Sequence, residues 1–79
     1  MFYAYVLESI PTGRRYIGHT DDLKRRLKEH NDGKCSHTSK YGPWKVKCYF
    51  AFETLELAQR FELYLKSGSG FSFAKRHFE

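Results

Sequence analysis

Arg26 and His30 stand four residues apart in the run DLKRRLKEH, a spacing that stacks a guanidinium and an imidazole on one edge of a helix. An arginine offers a planar fork of donors that matches phosphate oxygens, and a histidine changes protonation near neutral pH. Two phenols, Tyr5 and Tyr16, precede them in segments that read as pairing strands, so both can face one side of a sheet beside Arg26. A phenol with a pKa of about 10 is a poor base unless a cation or metal lowers that value, and Arg26 is the cation at hand. Further on, Glu62 supplies one carboxylate, with Lys66 four residues later as an ordinary helix ion-pair partner. Together these types suit chemistry on a phosphodiester: donors for developing negative charge, a group to move a proton, and a hard oxygen for a divalent cation.

The elements that must position these residues follow from pattern. FYAYVLE, Phe2 to Glu8, is aromatic and branched with apolar side chains on both faces, which predicts a central strand covered on both sides. SIPTG supplies turn residues, and RRYIG reads as a second strand completing a hairpin, with Gly18 as the turn into the next helix. Thr20 is the expected cap of that helix, with Asp21 and Asp22 in its first turn and Gly33 at its end. Leu23 and Leu27 form its narrow apolar stripe, beside which Arg26 and His30 fall.

From Asp32 to Pro43 the chain is polar and aperiodic and reads as an exposed loop. WKVKCYFAF then alternates Val46, Cys48, Phe50 and Phe52 against Lys45, Lys47, Tyr49 and Ala51, a third strand with one buried face. A second helix starts near Thr54, with Leu57, Ala58, Phe61, Tyr64 and Leu65 as a broad apolar face and Gly68 and Gly70 as its close. Phe71, Ala74 and Phe78 share a helical face in the tail, which predicts a short docked helix. The expected architecture is α+β: a small three-stranded antiparallel sheet flanked by helices, in the order β-β-α-β-α plus a short C-terminal helix, as a single domain over residues 1–79.

Composition narrows the partner. Fourteen Lys and Arg against nine Asp and Glu give a net charge of +5, which favours a polyanion such as nucleic acid. A chain of this length buries only about 60% of its unfolded surface, so its core must be compact, and seven Phe, six Tyr and one Trp meet that need. No apolar run approaches a membrane span and the N-terminus lacks the features of a signal peptide, so no membrane partner and a cytoplasmic location are expected. Cys35 and Cys48 fit a reducing compartment better than a disulfide framework, and no paired Cys or His spacing supports zinc.

Four elements in order carry a resemblance over nearly the whole chain: Tyr3-Ala4-Tyr5, then Tyr16-Ile17-Gly18, then DLKRRLKEH from Asp22, then FELYLK from Phe61. They resemble the GIY-YIG nuclease superfamily and, more narrowly, its small stand-alone bacterial members. The resemblance implies the GIY-YIG fold and a metal-dependent endonuclease that hydrolyses DNA with low sequence specificity in repair or processing, selective for branched or single-stranded forms. It implies Tyr5 and Tyr16 as the residues that activate or place the attacking water and Arg26 as the stabiliser of phosphate charge. His30 orients the nucleophile or protonates the leaving oxygen, and His37 corresponds loosely to another family histidine. Glu62 falls where the family holds a single Mg²⁺ or Mn²⁺. Lys24, Arg25, Lys28 and Lys40 are then backbone contacts, whereas His19 and His77 have no counterpart and read as surface residues.

Longer members carry an asparagine near the domain's end; the one asparagine here is Asn31. A second reading from a different class is therefore a nucleic-acid-binding module of the same fold with little intrinsic nuclease activity, acting with a protein partner. The expected assembly is a monomer or weak dimer.

Overall fold

Alternation in the first segment decides the layering. In the computed structural model, which describes all 79 residues, strand β1 (Phe2–Ser9) sends Ala4 and Val6 to one face and Tyr5 and Leu7 to the other, and all four are buried. It is the central strand of a three-stranded antiparallel sheet, between β2 (Arg15–Thr20) and β3 (Trp44–Phe52). Helix α1 (Leu23–Asn31) lies on the Tyr5 face, while α2 (Leu55–Lys66) and α3 (Gly68–His77) cover the Ala4 face. The order β-β-α-β-α-α and the antiparallel sheet are those read from the sequence. No helix is long and apolar enough to cross a membrane.

Two half-cores result. Ala4 and Val6 pack with Leu65 and Ala74, walled by Ile17, Cys48, Phe50, Phe52 and Phe61. On the opposite face Tyr5, Leu7 and Trp44 pack with Tyr16, Leu23, Leu27, Tyr41 and Val46. Val46 is a correction to the simple alternation of the third strand. Leu7 pairs with Val46 directly after Val6 pairs with Cys48, so Lys47 is an extra residue in β3. This bulge flips the strand's faces, sending Trp44 and Val46 toward α1 while Cys48, Phe50 and Phe52 stay with α2.

Helix boundaries depart from the sequence reading in local ways. Asp22, not Thr20, caps α1, its carboxylate accepting from Arg25 N at 3.0 Å. Thr20 instead accepts from Asp22 N at 3.1 Å, a turn that sets the cap in place, and no acidic residue occupies the helix's first turn. Thr54 does cap α2, accepting from Leu57 N. The broad face expected of α2 is narrower: Ala58 and Leu65 are buried, whereas Leu57 and Tyr64 are largely exposed. Gly68 and Gly70 do not close α2; they open α3, with Ser67 ending the first helix and capping the second. A Cβ at Gly70 would lie 1.8 Å from the Tyr64 carbonyl oxygen, so only glycine lets α3 start directly against the end of α2.

Candidate active site

Tyr5, Tyr16, Arg26 and His30 converge on the α1 face of the sheet. Tyr5 sits on the central strand and points at α1, where His30 occupies the last turn; each is 1% exposed. The Tyr5 hydroxyl and His30 Nε2 are 3.0 Å apart, and the Tyr16 ring lies 4.9 Å from the imidazole and 6.4 Å from the Tyr5 ring. Arg26, one turn before His30, is half-buried with Nη1 3.0 Å from Glu29 Oε1. It is the charged neighbour that acts most on the Tyr5 phenol.

Gly18 explains how Tyr5 reaches this position. The sequence reading made it a turn residue, but it stands within β2, directly opposite Tyr5. A Cβ there would lie 2.6 Å from the Tyr5 hydroxyl and 2.8 Å from Cζ, so the bare backbone is what lets the phenol cross the neighbouring strand. Gly18→Ala is expected to destabilise the fold by about 1–3 kcal/mol through overpacking, measured by urea denaturation, and to break the Tyr5–His30 contact.

Burial sets the electrostatics of the cluster. Burial pushes the Tyr5 phenol up to about 12, against the opposing pull of Arg26. The expectation that Arg26 would make this phenol acidic is thereby corrected: desolvation wins, and Tyr5 rests as a neutral donor. Burial, and secondarily Arg26, pushes His30 below its ordinary value despite Glu29, so the imidazole is neutral at neutral pH. Tyr5 is held raised and Arg26 carries only donors, so the Tyr5 hydrogen has one acceptor in reach, His30 Nε2. The two tyrosines are not equivalent: Tyr16 lines an open cleft with Arg14, His37, Thr38 and Tyr41, whereas Tyr5 is buried.

Glu62 is not in this cluster. Ile17 and His19 alternate to the α2 face of β2, and Glu62 meets His19 Nδ1 there in a close hydrogen bond. Its other oxygen accepts from Lys66 Nζ at 2.6 Å, the helix ion pair expected from spacing. Burial works to raise the Glu62 carboxyl, but the hydrogen bonds from Lys66 and His19 outweigh it and hold the group below its usual range. His19, read from the sequence as a surface residue, is the bridge between the faces. It lines one cleft with Thr20, Arg25 and Arg26 and another with Gln59 and Glu62. Arg26 and Glu62 thus flank the outer edge of the sheet on either side of His19.

Glu62 offers a divalent cation one hard carboxylate at the lip of a cleft, but both of its oxygens are engaged, by His19 and Lys66, and a cation would have to displace one of them and take its other ligands from water and phosphate. No three His, Cys, Asp or Glu side chains gather into an all-protein cage. His37 is exposed at the rim of the Tyr16 cleft, and it is the next residue, Thr38, whose side chain meets His30. The Asp32–Pro43 segment is accordingly not wholly exposed, since Thr38 is 1% exposed. Asn31 clips the same region, accepting from Trp44 N at 2.6 Å and donating to Trp44 O at 3.2 Å.

The basic residues divide in the same way. Arg25 is paired with Asp21 at 2.6 Å and Lys28 with Asp32 at 2.6 Å, so their charge is partly neutralised on their own helix. Lys24 and Lys40 are exposed and enter no ion pair. Both cysteines are free.

Comparison with known proteins places the chain in a family and a fold. Residues 1–76 match the family described as the GIY-YIG catalytic domain. The UPF0213 protein BH0048 of Halalkalibacterium halodurans is 38% identical over 65 residues, which cover 81% of this chain and 68% of that protein. The structure-specific endonuclease subunit slx1 of Schizosaccharomyces japonicus is 42% identical over 69 residues, 78% of this chain but 25% of that larger protein. The solution NMR structure of the UPF0213 protein BH0048 from Bacillus halodurans has the same fold, with a TM-score of 0.57 at 32% identity, over 99% of this chain and 87% of that one. A match spanning residues 1–76 encloses Tyr5, Tyr16, Arg26, His30 and Glu62, and with it the chain belongs to the GIY-YIG family.

Proposed function

We propose that this protein is a metal-dependent endonuclease that hydrolyses DNA phosphodiester bonds with little sequence preference. The observation that carries the reading is the Tyr5–His30 hydrogen bond, a phenol donating to a buried neutral imidazole with Arg26 across its oxygen and Tyr16 at its side. In the proposed step, Arg26 turns its fork to a phosphate in the edge cleft and stabilises the charge that develops there. That movement uncovers the Tyr5 oxygen. A water attacks phosphorus, its proton passes to the Tyr5 oxygen as the Tyr5 proton passes to His30 Nε2, and the bond to the 3′ oxygen breaks. His30 later returns the proton through Tyr5, and the 3′ oxygen is protonated by solvent. Tyr16, open to its cleft, orients the water or phosphate.

Glu62 would hold Mg²⁺ or Mn²⁺, which when bound polarises the phosphodiester and stabilises the leaving oxygen. Exposed Lys24 and Lys40 add contacts to the DNA backbone, with Arg25 and Lys28 contributing less because their charges are paired. The slx1 relative is named as a subunit of a structure-specific endonuclease, which supports branched DNA as substrate and a protein partner for targeting.

One observation favours a second reading, a binding module with weak turnover: both Glu62 oxygens are already engaged, by His19 and Lys66. Labelled single-stranded, duplex and branched DNA incubated with Mg²⁺, Mn²⁺ or EDTA separates the two. The nuclease reading expects strand breaks that require the metal and fall about 10²-fold or more in Glu62→Gln. Binding without breaks, unchanged by Glu62→Gln, would favour the module.

A further inference from the structure

The hydrogen bond from Tyr5 to His30 continues on the far side of the imidazole to a side chain with no role in the mechanism above. Thr38 Oγ1 lies 2.8 Å from His30 Nδ1. The threonine is 1% exposed and tied down at several points: its carbonyl accepts from Trp44 Nε1 at 2.9 Å, and its N–H donates to Cys35 O at 3.1 Å. Its hydroxyl also faces Cys35 O, at 3.3 Å. A hydroxyl has one hydrogen to donate. Directed at the Cys35 carbonyl, which also accepts from Ser39 N at 3.0 Å, that hydrogen leaves a lone pair toward His30 to accept an Nδ1 proton. The other end of the ring agrees, because the Tyr5 hydrogen has His30 Nε2 as its acceptor at 3.0 Å. In the opposite tautomer Thr38 would donate to Nδ1 and Nε2–H would donate to the Tyr5 oxygen, which would leave the buried Tyr5 hydrogen with no acceptor in reach.

We propose that Thr38 is a positioning residue that holds His30 in its Nδ1–H tautomer and keeps the Nε2 lone pair aimed at Tyr5. Thr38, 1% exposed, acts through His30. The functional half of this proposal rests on Tyr5 and His30 being the proton path, whereas the tautomer itself does not. A wrong tautomer leaves the imidazole in place but removes its capacity to accept the proton, which is costly for catalysis even where the fold is intact.

The test is ¹⁵N NMR of the His30 ring in the wild type, Thr38→Val and Thr38→Ser, with DNA cleavage rates measured on the same preparations. Expected in the wild type are a protonated Nδ1 and a hydrogen-bonded, unprotonated Nε2. Thr38→Val, which keeps the shape and removes the hydroxyl, should move the proton to Nε2 and lower kcat by about 10²-fold with KM little changed. Thr38→Ser should restore both. A wild-type ring protonated at Nε2, or a Thr38→Val ring that keeps the wild-type pattern, would overturn the lock. A kcat unchanged in Thr38→Val would overturn its part in the reaction. A wild type with the expected tautomer that cuts no DNA under any metal would overturn the nuclease reading and leave the lock standing.

Discussion

Arg26→Ala should lower the rate of strand cleavage by about 10²–10³-fold while the protein stays folded. The size follows from position: Arg26 and Arg25 both line the edge cleft, but Arg25 is paired with Asp21, so in the proposed reaction Arg26 is the fork that meets charge developing on phosphate. Stability should change little. Its ion pair with Glu29 joins side chains 33% and 32% exposed, the kind of half-open pair that contributes about 1 kcal/mol or less. Single-turnover cleavage and urea denaturation on the same preparation separate the two effects. Arg26→Lys should recover little of the lost rate, because an ammonium supplies charge without the two-pronged geometry. Equal losses in DNA affinity and cleavage would instead make Arg26 a general electrostatic contact.

Tyr5→Phe should be as damaging to catalysis for a different reason. The substitution removes one oxygen and keeps the ring against Tyr16 and Leu7, so packing is preserved. What is lost is the hydroxyl bonded to His30 Nε2 and, in the proposed reaction, the proton path through it, for an expected fall of about 10²–10⁴-fold in kcat. The buried Nε2 is left without its donor, which costs about 1–3 kcal/mol of stability and is measurable as a lower urea midpoint. DNA affinity should be unchanged, because a side chain 1% exposed makes no backbone contact in the resting protein.

Much of this was legible in the sequence where periodicity carries geometry. The four-residue step from Arg26 to His30 placed both on the sheet-facing edge of α1, and the strand alternation placed Tyr5 and Tyr16 on one face. Contacts without periodicity were not legible. Thr38 reaches His30 from a segment whose path depends on Trp44 and Asn31 clips, and nothing in its composition marks Thr38 over the neighbouring His37. His19 and Glu62 are 43 residues apart and meet only because β2 is an edge strand crossed by α2. The bulge at Lys47 is invisible in a run that alternates well on paper, and it moves Val46 and Trp44 to the opposite core. Gly18 misled for a physical reason: glycine signals a turn locally, but here its missing side chain serves a phenol on the next strand.

In the proposed reaction the Tyr5–His30 pair carries the proton of a phosphodiester cleavage. The most direct measurement is the single-turnover rate of DNA cleavage by wild type and Tyr5→Phe in Mg²⁺, with DNA binding measured in parallel. Metal-dependent cleavage by the wild type and a loss of about 10²–10⁴-fold in Tyr5→Phe at equal affinity are expected. Cleavage by Tyr5→Phe at the wild-type rate would contradict it.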